Sequence, residues 1–363
     1  MKSVVVFGAT GYTGRLVVES LLALGVSKVV IGGRSEEKLR ALAQQCSGLT
    51  HRVADALHPE TLAALVEGAH VVISTAGPFS LYGEPVVRAA LAAGAHFLDT
   101  TGEQAYMARI LERYHGAAKG KGLAVVNAQA YEFALGYCAA ALLAEWDPAI
   151  HTIDVFNRVY GFGASRGTQK SALEQITAHA LVRRDGRLVE RSLSPVPKAV
   201  TWPGGKRELG VPFPGGEALH LARAHPQVKN VTTNLALPAR LAAPLMAAWS
   251  ARPLWRALSK TGAFDLARRF IDAGAEGPEE SSRKQAGFRT LARGRSEVAT
   301  RGVMVTGQDA YGVTGIIAAL GAKLLLEGEP RMAGVVSTDQ AFGAQAFLDA
   351  LAPHGVSFSK HEL

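Results

Sequence analysis

The sequence predicts an α/β protein with an N-terminal parallel sheet and a second, α+β domain that contains antiparallel sheet. Two observations support this prediction. Short β-branched runs alternate with helical patterns over residues 1–132, and this alternation is typical of βαβ units in a parallel sheet. Beyond Pro148 the pattern changes, because Asp185-Gly186 lies between two strand-like runs and such a pair favours a tight antiparallel hairpin.

The predicted elements of the N-terminal half are short and strongly patterned. The expected strands are Val4–Phe7, Lys28–Ile31, Thr50–Val53, Val71–Thr75, His96–Leu98 and Leu123–Val126. The expected helices between them include Leu16–Leu24, Glu36–Gln45, Pro59–Val66 and Pro85–Ala92. This order indicates a Rossmann-type sheet, in which ligands bind at the carboxyl ends of the strands.

The same patterns predict the domain limits. The first domain covers residues 1–132, and the second covers residues 150–312 with a further hairpin from Phe288–Arg293 to Val303–Thr306. Residues 312–327 read as a helix. We expect the C-terminal segment, residues 313–363, to return to the first domain.

Composition limits the classes of function. The formal net charge is +8, but Lys and Arg are dispersed along the chain, so nucleic acid is not an expected partner. No uninterrupted apolar run reaches the roughly 18 residues of a spanning helix, which favours a soluble protein. Two distant cysteines, Cys46 and Cys138, fit a reducing cytoplasm. Neither these cysteines nor the histidines have metal-ligand spacing, so we expect no metal.

The loop after the first strand reads Gly8-Ala9-Thr10-Gly11-Tyr12-Thr13-Gly14. Glycines allow a tight turn there and let backbone amides approach a pyrophosphate at the start of the following helix. The spacing is GxxGxxG rather than GxGxxG, but the strand before it and the helix after it favour dinucleotide binding. The expected cofactor residues in this loop are Gly8, Thr10, Gly11, Tyr12, Thr13 and Gly14.

The residue after the second strand is Arg34, where an NAD-binding site usually has an acidic residue. A guanidinium at this place suits the adenosine 2′-phosphate, and Ser35 and Lys38 can add donors, so the sequence predicts NADP(H). Asp55 follows the third strand, and two interpretations of it stay open. In the first interpretation, its carboxylate accepts a hydrogen bond from the adenine amino group. In the second, it caps the helix that begins near Pro59.

The loops after the fourth and fifth strands are expected at the nicotinamide end. Small residues after the fourth strand leave room for the ring, and we assign to the cofactor Ser74, Thr75, Ala76 and Gly77. Pro78 and Phe79 follow as substrate contacts. Glu103, after the fifth strand, is either a buried acid at the substrate site or the cap of the following helix.

Together with Asp99-Thr100-Thr101-Gly102-Glu103, these motifs resemble the saccharopine dehydrogenase-like oxidoreductase family, and the trans-acting enoyl reductase branch most. The resemblance continues in Ser165-Arg166-Gly167-Thr168, similar to the family's S-x-G-T stretch, in Tyr311-Gly312-Val313-Thr314 and in Gly334–Ser337. One segment departs from the family: Ala130–Leu135 lacks the proline and second acid of G-F-D-S-x-P-x-D. The substrate or its binding mode is therefore expected to differ.

The resemblance implies NADPH-dependent reduction of a C=C bond in an enoyl or other hydrophobic substrate. Reduction of an imine, as in saccharopine-type chemistry, is the alternative, and a non-catalytic NADP-sensing protein is a further one. Two families that share the glycine loop fit less well. N-acetyl-glutamyl-phosphate reductases need a cysteine nucleophile, whereas Cys138 lies in an apolar helical context, and short-chain dehydrogenases need a Y-x-x-x-K pair that the chain lacks.

We expect the active site between the two domains. Tyr82 and Tyr131, both expected at strand ends, are the candidate proton donors, and Ser165 and Thr168 are the expected substrate contacts in the second domain. Residues 235–260 combine Leu, Trp and basic residues. Three interpretations of this composition stay open: a substrate lid, a helix pair packed on the core, or a weak membrane-surface contact. A homodimer and a carrier-protein-bound acyl substrate also stay open.

Overall fold

A computed structural model describes residues 2–46, 48–161, 163–175, 177, 180–191 and 196–363, with only the backbone at Arg191. The chain divides into two compact units. The first comprises Met1–Ala134 and Tyr311–Gly343, and the second comprises Leu135–Ala310 and Ala344–Leu363.

The first unit is a parallel sheet covered by helices. Its strands are β1 Val4–Phe7, β2 Val29–Gly33, β3 Thr50–Val53, β4 Val71–Ser74, β5 His96–Asp99, β6 Ala124–Val126 and β15 Gly334–Val336. Its helices are α1 Tyr12–Ala23, α2 Glu36–Gln45, α3 Pro59–Val66, α4 Phe79–Ala92, α5 Gln104–Gly120, α13 Ala310–Glu327 and α14 Thr338–Phe342, together with the start of α6, Tyr131–Trp146.

The described strands of this sheet run in the order β15-β6-β5-β4-β1-β2-β3, and all neighbours are parallel. The chain order reverses between β1 and β4, so a crevice opens there at the carboxyl edge, which is where doubly wound sheets bind their ligands. Apart from the edge strand β3, which is partly exposed, the strands are buried, and most are rich in Val and Ile, as a sheet covered on both faces requires.

Helix α13 belongs to the core of the first unit. It is long and apolar enough to cross a membrane by composition, with a mean hydropathy of 1.4, but two thirds of that stretch is buried inside the protein. Ala318, Ala322 and Leu325 join the cluster formed by Val4, Leu21 and their neighbours. At Gly315 a Cβ would lie 2.8 Å from the Leu16 carbonyl oxygen, so glycine permits the close approach of α13 to α1.

The second unit is built around a mixed sheet. Its strands are β7 Thr152–Tyr160, β8 Ala180–Arg184, β9 Arg187–Arg191, β10 Lys198–Thr201, β11 Arg207–Phe213, β12 Asn230–Leu237, β13 Gly287–Arg295, β14 Thr300–Gln308 and β16 Ser357–Glu362. Its helices are the rest of α6, then α7 Arg166–Gln175, α8 Glu217–Ala224, α9 Ala239–Ser250, α10 Arg252–Ser259, α11 Ala263–Ala273, α12 Glu280–Gln285 and α15 Ala344–Leu351, followed by a 3₁₀ turn at Ala352–His354.

Both predicted hairpins are present in this sheet. β8 and β9 pair antiparallel around Asp185-Gly186, where both residues have positive φ, and β13 pairs antiparallel with β14. The main path of described strands is β10-β11-β12-β7-β13-β14-β16, with β8 and β9 attached to β12.

The prediction for residues 313–363 needs a correction at its end. β15 extends the first sheet beside β6, but β16 pairs antiparallel with β14 of the second sheet, with Val305 opposite Phe358. The exposed edge of β14 offers unpaired backbone groups, and the terminal strand satisfies them. Residues 344–363 therefore belong to the second unit.

Candidate active site

The loop between β1 and α1 has the backbone geometry of a phosphate cradle. Gly8 is left-handed, with φ 83°, and a Cβ there would lie 2.9 Å from the Ala76 amide nitrogen. A Cβ on Gly14 would lie 2.2 Å from the Gly8 carbonyl oxygen, so a larger residue does not fit. Helix α1 begins at Tyr12 after Gly11, and its first turn carries no acidic side chain. Its amides and dipole can therefore hold a pyrophosphate.

The loops after β1 and β4 are joined at this edge of the sheet. Thr75 Oγ1 donates to the carbonyl oxygens of Phe7, 3.2 Å away, and Gly8, 3.1 Å away. The Thr75 amide also donates to Phe7 O at 2.9 Å. Ser74, one residue earlier, is completely buried, and among the described residues its hydroxyl has no hydrogen-bond partner. Thr75 thus fixes the cradle against the predicted nicotinamide loop.

The end of β2 lies beside the same cradle. A Cβ on Gly33 would lie 3.7 Å from Thr10 Oγ1. Arg34 and Lys38 are exposed, so both cations are accessible to an anion. Ser35 Oγ accepts from the Lys38 amide at 3.4 Å and caps α2. The predicted 2′-phosphate residues are therefore grouped at one end of the crevice.

The structure decides one of the two interpretations of Asp55. Its Oδ1 accepts from the Leu57 amide at 3.0 Å, which closes a local turn. The N-cap of α3 is His58, and Thr61 Oγ1 accepts from the Asp55 amide. The capping interpretation is wrong because Asp55 lies too far ahead of the helix. An adenine contact stays a prediction.

Glu103 caps a helix, but not the one that follows it. The residue is 3% exposed, and its carboxylate accepts from the amides of Phe79 and Ser80, both at 2.8 Å. These amides begin α4, whereas the start of α5 receives no bond from the Glu103 side chain. A carboxylate at a helix N-terminus is favoured by the helix dipole. Glu103 therefore determines where α4 begins, directly after the predicted nicotinamide loop.

Because Glu103 sets the start of α4, Tyr82 lies in a different element from the one predicted. The predicted helix began at Pro85, but α4 begins at Phe79 and contains Pro85. Tyr82 is accordingly in the first turn of α4 and half-buried, not at a strand end. The prediction failed because the stabilising carboxylate is distant in sequence.

Asp99, at the end of β5, fixes the loop between β6 and α6. Its carboxylate accepts from Asn127 Nδ2 at 2.6 Å, Ala128 N at 2.8 Å, Tyr106 Oη at 3.0 Å and Thr101 N at 3.2 Å. Burial raises the pKa of Asp99 to about 6, although the four donors act in the opposite direction. Ala128 has a positive φ of 60°, so the bond to Asp99 supports an uncommon backbone conformation.

This loop leads to Tyr131, which is the first residue of α6 and not the end of β6. Its amide donates to Thr314 Oγ1 at 3.2 Å, and its phenol donates to the Glu132 carboxyl group. Burial, and then the Glu132 charge, raise the pKa of Tyr131 well above its ordinary value, and burial also raises the pKa of Glu132. Tyr131 is therefore a protonated phenol at neutral pH.

Two tyrosines extend this group towards the cradle. The ring of Tyr12 meets the ring of Tyr311 edge-on, with centroids 5.1 Å apart, and Tyr311 also contributes to the raised pKa of Tyr131. In the sequence, Tyr311 and Thr314 stood out only as part of the family layout. The contacts of Asp99 with Asn127 and Ala128 carried no signal in the sequence, because they depend on the parallel pairing of β5 and β6.

Ser165 and Thr168 lie in the second unit, at the start of α7. Ser165 is buried, and its Oγ accepts from the Thr168 amide at 3.3 Å and lies 3.1 Å from Thr168 Oγ1. These contacts cap α7, while Thr168 itself is exposed. It stays a prediction that Ser165 and Thr168 share one active site with the predicted nicotinamide loop.

A dinucleotide-binding domain of the doubly wound class is defined by three features: the crevice, the glycine cradle, and the group formed by Arg34, Ser35 and Lys38. Residues 4–126 match the family described as saccharopine dehydrogenase NADP binding domain. The N-terminal domain is thus an NADP-binding domain of the saccharopine dehydrogenase-like family, as its motifs predicted.

Curated relatives extend the likeness along the chain. A trans-acting enoyl reductase of Mycobacterium tuberculosis is 34% identical over 134 residues, which are 36% of this chain and 32% of that protein. A lipid droplet localized protein of Caenorhabditis elegans is 30% identical over 242 residues, 59% of this chain and 57% of the relative. The chain therefore matches between 32% and 57% of the length of these relatives.

One solved structure has the same architecture throughout. Saccharopine dehydrogenase (L-Glu forming) from Saccharomyces cerevisiae superposes with a TM-score of 0.65, covering 99% of this chain and 100% of that one. The identity is 13%, so this likeness shows the fold alone. The predicted fold, a parallel Rossmann sheet with a second domain containing antiparallel strands, is confirmed.

Proposed function

We propose that the protein is an NADPH-dependent reductase that adds hydride to the C=C bond of an enoyl or other hydrophobic substrate. The observation that carries the proposal is the phosphate cradle with the exposed Arg34 beside it, in a domain of an NADP-binding family. The choice of a C=C bond is supported by the relatives named trans-acting enoyl reductase. Saccharopine-type imine reduction is the competing outcome.

The residues present fit the cofactor. Gly8 and Gly14 permit the tight turn that brings the start of α1 to the sheet edge, where its amides can hold a pyrophosphate, and Arg34 with Lys38 supplies positive charge for the 2′-phosphate. When bound, the nicotinamide supplies the hydride. The loop Ser74–Gly77, held by Thr75, is suited to positioning the ring, and Glu103 fixes the helix start that follows it.

Addition of hydride to the β-carbon of an enoyl thioester leaves an enolate that must gain a proton. Tyr131 is suited to donate it, because its raised pKa keeps the phenol protonated and the neighbouring Glu132 can return the proton. Imine reduction needs no enolate, because hydride adds to the imine carbon and the π electron pair of the C=N bond moves to the nitrogen, which is already protonated. A requirement for the Tyr131 hydroxyl therefore favours C=C reduction.

The proposal is tested by following NADPH consumption and analysing products with matched substrates. The panel contains enoyl thioesters, small enones, and a 2-oxo acid with a primary amine as an imine source. Saturated thioester from the enoyl substrate supports the proposal, while secondary amine formation would replace it with imine reduction. Tight NADPH binding without turnover of any substrate would indicate an NADP-sensing protein.

We also propose that the protein acts in the cytoplasm on a small-molecule or carrier-bound acyl substrate, as a homodimer. Cys46 and Cys138 are present as thiols, which is compatible with a reducing compartment. Comparing a free thioester with the same acyl group on a carrier protein measures the carrier's contribution. Sedimentation velocity measures the oligomeric state.

A further inference from the structure

Helices α9, α10 and α11 expose an unusual share of large apolar side chains. Leu241, Leu254, Leu266 and Phe270 are 48%, 57%, 55% and 72% exposed. They are four of the thirteen large hydrophobic side chains that are exposed in the described part of the chain, and all lie within residues 241–270. Exposed apolar side chains grouped in this way are typical of an interaction surface.

Other side chains of α9 and α11 hold these two helices on the second unit. Ala242 and Trp249 of α9 are buried in a cluster with Val211 of β11. Phe264 of α11 is buried, and Arg268 forms an ion pair with Glu174 of α7. On α11, Leu266 and Phe270 are one helical turn apart and so share one side. Helices α9 and α11 are thus anchored while their exposed apolar side chains stay accessible.

The two tryptophans of this segment, Trp249 and Trp255, are not among its exposed side chains. Trp249 is 9% exposed, and Trp255 Nε1 donates to the Ala248 carbonyl oxygen at 2.8 Å. Leu235–Leu237 of the predicted segment is part of β12. The exposed apolar surface instead includes α11, which lies beyond residues 235–260.

The net positive charge of residues 239–273 favours an anionic partner for this surface. Residues 239–273 contain six Lys or Arg and two Asp. Asp265 pairs with Arg268, and Asp272 pairs with Lys170, so both acids are compensated. Arg240, Lys260 and Arg269 are exposed beside the apolar side chains. Exposed Leu and Phe flanked by exposed cations are the features with which helices bind anionic lipid surfaces.

We propose that α9–α11 form a docking surface for an anionic phospholipid membrane. Leu254, Leu266 and Phe270 enter the acyl boundary, while Arg269 and its neighbouring cations contact the headgroups. The protein would then reach hydrophobic substrates at the membrane surface. This docking does not require the proposed reductase activity.

The test is co-sedimentation of the full chain with vesicles of phosphatidylcholine containing about one third phosphatidylserine. We expect binding at low salt, weaker binding at high salt, and little binding to phosphatidylcholine alone. Replacing Leu266 and Phe270 together with Ser should weaken binding about tenfold or more. Arg269→Glu should weaken it about fivefold or more, since each basic residue near the surface contributes on that scale.

The matched control replaces Leu188 and Val298 with Ser, because these side chains are 42% and 93% exposed elsewhere in the protein. It should bind vesicles like the unchanged protein. Failure of the unchanged protein to bind phosphatidylserine vesicles at low salt would overturn the proposal, as would equal binding by the Leu266/Phe270 variant. NADPH affinity, measured without vesicles, should be the same in all variants, so a failure of docking is distinguishable from a failure of the reductase function. Loss of turnover with a soluble substrate in the Leu266/Phe270 variant, without any vesicle binding, would indicate a substrate lid.

Discussion

Replacement of Glu103 by Gln perturbs the start of α4 while keeping the size of the side chain. The Glu103 carboxylate accepts from the amides of Phe79 and Ser80, each at 2.8 Å, in a position that is 3% exposed. A Gln side chain can accept only one of these bonds, and its NH₂ group faces the other amide. One charge-assisted bond is lost, the second becomes a neutral bond, and a buried N–H is left unpaired.

The loss follows from these contacts. A hydrogen bond to a charged group contributes roughly 1.5–3 kcal/mol and an ordinary one about 1 kcal/mol, so the free energy of unfolding should fall by about 3 kcal/mol. For a unit of this size that corresponds to a Tm lower by roughly 6–12 °C. Turnover should fall as well, because α4 follows the proposed nicotinamide loop.

Thermal unfolding followed by circular dichroism measures this effect. The control is Glu112→Gln, an exposed glutamate on α5, which should leave Tm unchanged within about 1 °C. If the Glu103 variant unfolds within about 2 °C of the unchanged protein, its carboxylate does not stabilise the start of α4.

Three further predictions follow from the first unit. Arg34→Ala should weaken NADPH binding about ten- to hundred-fold and leave NADH binding nearly unchanged, as measured by fluorescence titration; equal NADPH and NADH affinities in the unchanged protein would contradict this. Tyr131→Phe should lower kcat with the enoyl substrate by tenfold or more, a barrier increase of about 1.4 kcal/mol, whereas Tyr82→Phe should change it less than about threefold. Because the pKa of Asp99 is raised from 3.8 to about 6, the folded protein binds the extra proton between these values, so the contribution of Asp99 to stability declines as pH rises through that window. Urea unfolding from pH 4 to 7 should show this decline, about 3 kcal/mol in total, relative to Asp99→Asn; parallel pH curves for the two proteins would refute it.

Strands β1, β2, β4 and β6 could be predicted because each is a short buried run rich in Val. The run Val71–Thr75 differs from β4 by one residue. The cradle was predictable for the same reason, since glycine spacing, strand and helix are adjacent in the sequence. Local patterns were sufficient wherever the stabilising contacts are local.

Contacts between distant residues account for the failures. Helix α4 begins six residues earlier than predicted because Glu103, 24 positions away, binds its first amides. The pairing of β16 with β14 joins segments about fifty residues apart. Apolar and polar residues do not alternate clearly in Ser357–Glu362, so the sequence does not indicate which sheet this strand joins. In the sequence, Asp99 was recognised only as part of a motif. Its role in fixing the loop before α6 depends on bonds from Asn127 and Ala128, which strand pairing brings near it.

The environments of the two candidate tyrosines explain why their roles should differ. A proton donor to an enolate must keep its proton until hydride has been transferred, and it must regain one afterwards. Tyr131 meets both needs, since burial keeps the phenol protonated and Glu132, whose own pKa is raised, is hydrogen-bonded to it. Tyr82 is half-buried in the first turn of α4, and the described contacts place no acid beside its hydroxyl. A larger loss of kcat for Tyr82→Phe than for Tyr131→Phe would therefore show that access to the substrate, and not proton supply, decides which phenol acts.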